Sequence, residues 1–244
     1  MLEGDEMNNK IGVLDSGIGG MTVLDKIVKL LPREEYIYYA DNKNNPYGEK
    51  TDKQLYKIVK ENVNYLITKK NCKMIVLACN SATTKCMKKL KEEFPNILFV
   101  GTVPAIKVAS DNNYKHTLVL ATPATIDSER TKELIKENKK EKQEFTLIAC
   151  DGLAKAIETN DEEKINIILK NIKDITKNKK IDSIVLGCTH YPLIKDKINY
   201  YFQSIPQLDG SLGVAKEVKR QLERNNLLNN QAAGKIEFIY TKDN

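Results

Sequence analysis

The chain has 244 residues, 41% of them hydrophobic and 30% charged, enough for one large α/β domain or two smaller ones. Its net charge of +6, from 39 Lys and Arg against 33 Asp and Glu, does not indicate nucleic acid, because lysines alternate with glutamates over 85–93 and 133–144 as on solvated helix faces. No apolar run approaches the ~18 residues of a membrane span, and five cysteines without disulfide spacing point to free thiols in a reducing, cytoplasmic setting.

In chain order, residues 1–10 are polar and carry three acidic side chains, unlike a signal peptide, and Met7 is an alternative start that would make the first six residues dispensable. Short β-branched and aliphatic runs then alternate with longer amphipathic stretches. A strand at 11–14 leads to a helix at 21–31, a strand at 36–40, a helix at 51–69, a strand at 74–78, a helix at 82–93 and a strand at 98–101. A second series runs through strands at 117–121, 146–149 and 183–187, with helices at 128–139, 161–177 and 213–225. Alternation of this kind predicts mostly parallel sheets with helices on both faces.

An internal echo refines the organisation. Ile75-Val76-Leu77-Ala78-Cys79 recurs as Ile184-Val185-Leu186-Gly187-Cys188, and Val13-Leu14-Asp15-Ser16 recurs at a similar offset as Val119-Leu120-Ala121-Thr122. The pattern predicts two similar α/β domains related by a pseudo-twofold, with a crevice between them. The first would comprise 1–102 plus 213–244, and the second 103–212.

Both echoed cysteines end a buried strand and precede small polar residues that open a helix, Asn80-Ser81-Ala82-Thr83 and Thr189-His190-Tyr191-Pro192. Ligands of open α/β sheets bind at the carboxyl ends of strands. Helix N-terminal amides there would lower a thiol pKa from ~8.5 and favour the thiolate. Cys72, Cys86 and Cys150 read as small buried hydrophobes. His116 reads as structural, whereas His190 stands beside Cys188 and can tune it or relay its proton. Asp15-Ser16-Gly17-Ile18-Gly19-Gly20 is not a dinucleotide fingerprint, because Thr22 occupies the third glycine position. It instead displays a carboxylate and a hydroxyl, with glycines that would let backbone amides approach an anionic ligand. Paired zinc-ligand spacing and a C-x-x-C redox pair are both missing from the sequence.

Taken in order, Leu14–Gly20, Asp41 with Pro46-Tyr47-Gly48, Ala78-Cys79-Asn80, Val103-Pro104-Ala105 and Gly187–Leu193 resemble the signature set of the glutamate racemases, and Leu208-Asp209-Gly210 resembles that family's last loop. The resemblance implies cofactor-independent conversion of L-glutamate to D-glutamate for cell-wall peptidoglycan, with Cys79 and Cys188 as bases on opposite faces of the substrate. It implies a pocket lined by Asp15, Ser16, Pro46, Tyr47, Gly48, Asn80, Ser81, Thr122, Thr125, Thr189 and His190. Asp15 and His190 would assist the chemistry, and Asp41 and Glu158 are candidate assisting acids.

Two departures stand out. Ser81-Ala82-Thr83 replaces the family's Thr-Ala-Ser, keeping the hydroxyl, and Asp151-Gly152-Leu153-Ala154-Lys155 replaces a proline-rich stretch. The residues leave open an aspartate or hydantoin racemase of the same superfamily, and a non-catalytic basic nucleic-acid-binding protein. A small-molecule partner and no membrane are expected; a homodimer is compatible with the sequence.

Overall fold

Buried apolar runs too short for helices form the strands of the computed structural model, which describes residues 9–230 and 232–242; Met7 and the residues before it lie outside that range. The first half contains β1 (Lys10–Asp15), α1 (Met21–Leu30), β2 (Glu35–Ala40), α2 (Asp52–Thr68), β3 (Cys72–Leu77), α3 (Asn80–Glu93) and β4 (Leu98–Gly101). After α4 (Ile106–Asp111) come β5 (His116–Ala121), α5 (Pro123–Ile126), α6 (Glu129–Asn138), β6 (Glu144–Ala149), α7 (Leu153–Glu158), α8 (Glu162–Thr176), β7 (Ser183–Gly187), α9 (Lys195–Phe202) and β8 (Gln207–Leu208). The chain ends with α10 (Ser211–Arg224) and β9 (Ile236–Tyr240).

Helix starts follow side-chain caps the sequence carries. Thr51 and Gln54 form a reciprocal capping box on α2, while Ser128 and Asp161 cap α6 and α8. The elements not foreseen are mostly short, as in α5 with four residues and β8 with two; so few residues carry little periodicity.

The strands form two all-parallel sheets, β4-β3-β1-β2-β9 and β6-β5-β7-β8. Matching β1 with β5, β2 with β6, β3 with β7 and β4 with β8 gives one strand order in both, with β9 as an extra edge on the first. The sequence echo falls on matched strands and in matched register: Val13 pairs with Val76 as Val119 pairs with Val185. Each sheet is covered on both faces. In the first, α1 and α10 close one side around Val23, Ile27, Val214 and Val218, and α2 and α3 the other around Leu55, Val59 and Leu90. In the second, α7, α8 and α9 lie opposite α4 and α6.

A buried ion pair fixes the segment between α10 and β9. Lys73 on β3 meets Glu34 at 2.7 Å and donates to the Leu227 carbonyl at 2.6 Å, while the Asn229 amide donates to Glu34 at 2.8 Å.

Candidate active site

Carboxyl ends of strands from both sheets converge on one cavity of about 470 Å³ including its mouth. Ser16 follows β1, Asn45-Pro46-Tyr47-Gly48-Glu49 follow β2, and Cys79-Asn80-Ser81 follow β3. From the second half come Thr122-Pro123 after β5, Cys150-Asp151-Gly152 with Ala154 and Lys155 after β6, and Cys188-Thr189-His190 after β7. Equivalent strands therefore deliver Cys79 and Cys188, only 6% and 7% exposed, to the same enclosure. The halves touch directly through Ser81 and Thr122, whose hydroxyls lie 3.0 Å apart.

The two thiols have unlike surroundings. Cys188 Sγ lies 3.9 Å from His190 Nδ1, and His190 Nε2 is hydrogen-bonded to Glu158, which also accepts from the Ile18 amide at 3.3 Å. Burial works against a charged His190, but its bonds to Cys188 and Glu158 outweigh that and raise its pKa well above the usual value. For Glu158 burial acts to raise the pKa, and the His190 hydrogen bond and charge override it, so the net shift is downward. Together they form an imidazolium–carboxylate pair next to one thiol, with His190 buried and Glu158 partly so.

Cys79 is the N-cap residue of α3 but makes no side-chain capping hydrogen bond, and the amides of Ala82 and Ser81 act only to lower its pKa. The expected lowering of its pKa is nevertheless reversed: burial dominates, reinforced by the nearby Asp15 charge, and pushes the thiol well above the ordinary range. Desolvation of a fully enclosed sulfur exceeds what two backbone dipoles return. The expected helix after Cys188 is a short 3-10 turn, Tyr191–Ile194, so no long helix points at that thiol.

Two of the expected pocket residues, Asp15 and Thr125, and both candidate assisting acids, Asp41 and Glu158, stand behind the lining. Asp15 is fully buried; one oxygen accepts from the Gly20 amide and, at 3.5 Å, from the Thr189 hydroxyl. Burial, opposed by His190, raises its pKa to about 6. Thr125 holds Thr122 by a hydroxyl bond of 3.0 Å. Asp41 accepts from the Tyr47 hydroxyl at 2.6 Å and from Asn62 at 2.8 Å, fixing the ring that forms one wall. Glu158 acts through His190 and Ile18.

The glycine cluster serves a different purpose from the one its sequence suggests. The amides of Ile18 and Gly20 bind the protein's own carboxylates, Glu158 and Asp15. A Cβ on Gly17 would meet the Glu158 carboxylate at 2.6 Å, and one on Gly19 would meet His190 Nδ1 at 2.6 Å. These glycines let the two halves approach each other. Cys150 also departs from its reading as inert core, since it lines the cavity, with burial holding its thiol at about 12. Asn45, Glu49, Pro123, Asp151, Gly152, Ala154 and Lys155 are lining residues that periodicity did not reveal; the only signal was the divergence of 151–155 from the family pattern. Cys72 and Cys86 lie in the core, and His116 bonds Thr146 at 2.8 Å. Among the described residues, no cluster of His, Cys, Asp and Glu has the makings of a metal site, and no helix is long and apolar enough to cross a membrane.

Residues 11–217 match the family described as Asp/Glu/Hydantoin racemase. A glutamate racemase of Clostridium perfringens is 39% identical over 230 residues, covering 93% of this chain and 88% of that protein. The crystal structure of glutamate racemase isoform RacE1 from Bacillus anthracis superposes with a TM-score of 0.84 at 28% identity, covering 96% of this chain and 89% of that one. Glutamate racemase from Francisella tularensis, solved in complex with D-glutamate, gives 0.83 at 29% identity, with 97% and 89% covered.

Proposed function

Because the chain belongs to the Asp/Glu/Hydantoin racemase family, we propose that it interconverts L- and D-glutamate without a cofactor, passing the α-proton between Cys79 and Cys188. The observation that carries this reading is the delivery of two thiols to one cavity by equivalent strands, β3 and β7. Racemisation removes a proton from one face of the α-carbon and returns one to the other. Two opposed groups, one thiolate and one thiol, do this without turning the substrate. In the L-to-D direction the Cys188 thiolate takes the proton and the Cys79 thiol gives one; the reverse direction exchanges the roles.

The α-carbon of an amino acid is a weak acid, so the developing carbanion needs stabilisation in a water-poor site. Asn80, Ser81, Thr189 and Ser16 present hydrogen-bonding groups to a substrate carboxylate there. Burial holds Cys79 as a thiol in the free protein, the form that donates. An arriving ammonium group supplies the positive charge that favours thiolate. His190, kept protonated by Glu158, holds its charge 3.9 Å from the Cys188 sulfur, where it assists proton transfer to and from that thiol. Asp15 acts as a positioning residue for Thr189. The product is read as D-glutamate for peptidoglycan and the setting as cytoplasmic, with the two domains taken as 1–102 plus 213–244 and 103–212.

Circular dichroism of glutamate solutions incubated with the purified protein tests the reaction, with aspartate as the competing substrate. Activity should survive chelator and hydroxylamine but not thiol alkylation. Either Cys79→Ser or Cys188→Ser should abolish racemisation. A glutamate analogue with a leaving group at the β-carbon needs only one deprotonation to eliminate. Cys79→Ser should lose elimination from the D-configured analogue by about 10²-fold or more and keep that from the L-configured one; Cys188→Ser should do the converse. Equal losses from both analogues in each variant would refute opposed bases.

A further inference from the structure

Three exposed charged residues stand at the cavity mouth: Glu49 from the first half, and Asp151 and Lys155 from the segment after β6. Among the described residues, Lys155 is the single lysine or arginine in the lining. Lys164 is not in the lining, although its side chain reaches Gly152, which is. Among the described residues, none of the side chains of Glu49, Asp151 and Lys155 forms a hydrogen bond or ion pair. The lining thus carries one lysine ammonium and two exposed carboxylates, none of them paired.

Glutamate carries two carboxylates and one ammonium, hence a net negative charge near neutral pH. Glu49 and Asp151 alone would repel it at the entrance. Lys155 offsets one of them and offers the arriving carboxylate a partner that no other lining side chain supplies from the solvent side. The inner site makes no second use of this ammonium: Asp15 is held by Gly20 and Thr189, and Glu158 by His190 and Ile18. We infer that Lys155 is the substrate-capture residue of this chain, setting the affinity and entry rate for the anionic amino acid while leaving proton transfer to the thiols. This rests on the glutamate reading above and deepens it. The chemistry is charge attraction at a partly solvated mouth, which falls off within a Debye length and weakens with salt.

The test is steady-state racemisation kinetics of the full chain and its Lys155→Met, Lys155→Arg and Asp151→Asn variants, from about 20 to about 300 mM NaCl. Lys155→Met should raise KM about fivefold, with kcat within about twofold of the parent. Its deficit in kcat/KM should narrow as salt rises. Lys155→Arg should restore the parental KM, and Asp151→Asn should lower KM by removing a repulsive charge. Lys155 is exposed, so the substitution leaves packing intact, which the far-ultraviolet spectrum would verify. A parent protein that does not racemise glutamate would sink both the reading and this assignment. A parent that does, with unchanged KM in Lys155→Met or with a salt-independent loss in kcat, would overturn the role of Lys155 alone.

Discussion

Replacing Glu158 with Gln keeps the shape of the side chain and removes the charge that holds His190 protonated. The pair is nearly buried, with His190 only 2% exposed. A hydrogen bond to a charged group contributes about 1.5–3 kcal/mol, so the half-reaction in which Cys188 is the base should slow by a factor of roughly 10 to 150. Two enantiomers have equal free energies, so kcat/KM must fall equally for L- and D-glutamate. Only a half-reaction exposes the side affected. Elimination from an L-configured β-substituted analogue, followed by release of the leaving group, should drop by that factor, while the D-configured analogue should lose far less. Equal losses from both, or none, would refute the relay from Glu158 through His190 to Cys188. The same pair predicts a pH signature in stability. His190 has a raised folded pKa, so its contribution is full below its unfolded value of about 6.5 and is lost as pH rises through the folded one. Glu158 has a lowered folded pKa, so its contribution is full above about 4.5 and is lost as pH falls through the folded value. The stability difference between parent and Glu158→Gln should therefore peak between these limits and shrink on both sides, as read by urea unfolding.

Gly19→Ala should cost about 1–3 kcal/mol of stability through overpacking, since the new Cβ meets His190 Nδ1 at 2.6 Å and the Thr189 backbone at 2.8 Å; activity should fall with it, and a variant as stable and active as the parent would contradict the close approach of the halves. Lys73→Met should cost about 3–5 kcal/mol by stranding the Glu34 charge, and the double variant with Glu34→Leu should recover most of that in denaturant titrations.

The two parallel sheets were readable because their strands are buried on both faces and spell unbroken aliphatic runs, as in Met74-Ile75-Val76-Leu77. β9 escaped notice because it is an edge: Ile236, Phe238 and Tyr240 alternate with Glu237 and Ile239 and stay largely exposed. At the site, the residues next to strand-end cysteines could be read locally. What could not be read was depth. Asp15, Thr125 and Asp41 sit one layer behind the lining, while Cys150 and Lys155 belong to it, because loop trajectory and not spacing decides which side chain reaches the cavity. The thiol pKa of Cys79 was misjudged for a related reason, since enclosure by a second sheet is invisible from one motif.

The four-stranded sheet is made from one uninterrupted stretch of chain, β5 to β8, whereas the five-stranded sheet recruits β9, and its face is closed by α10, from beyond that stretch. During synthesis, everything needed for the second sheet has emerged before the last helix and strand of the first. Its contacts are also more local, which shortens the loops that must close. The second half should therefore fold while the first still exposes the apolar face of α1 and β1, the surface that Val214, Val218 and Leu222 later cover. Nascent chains halted just before α10 would carry that face uncovered, and aggregation or chaperone capture should concentrate there.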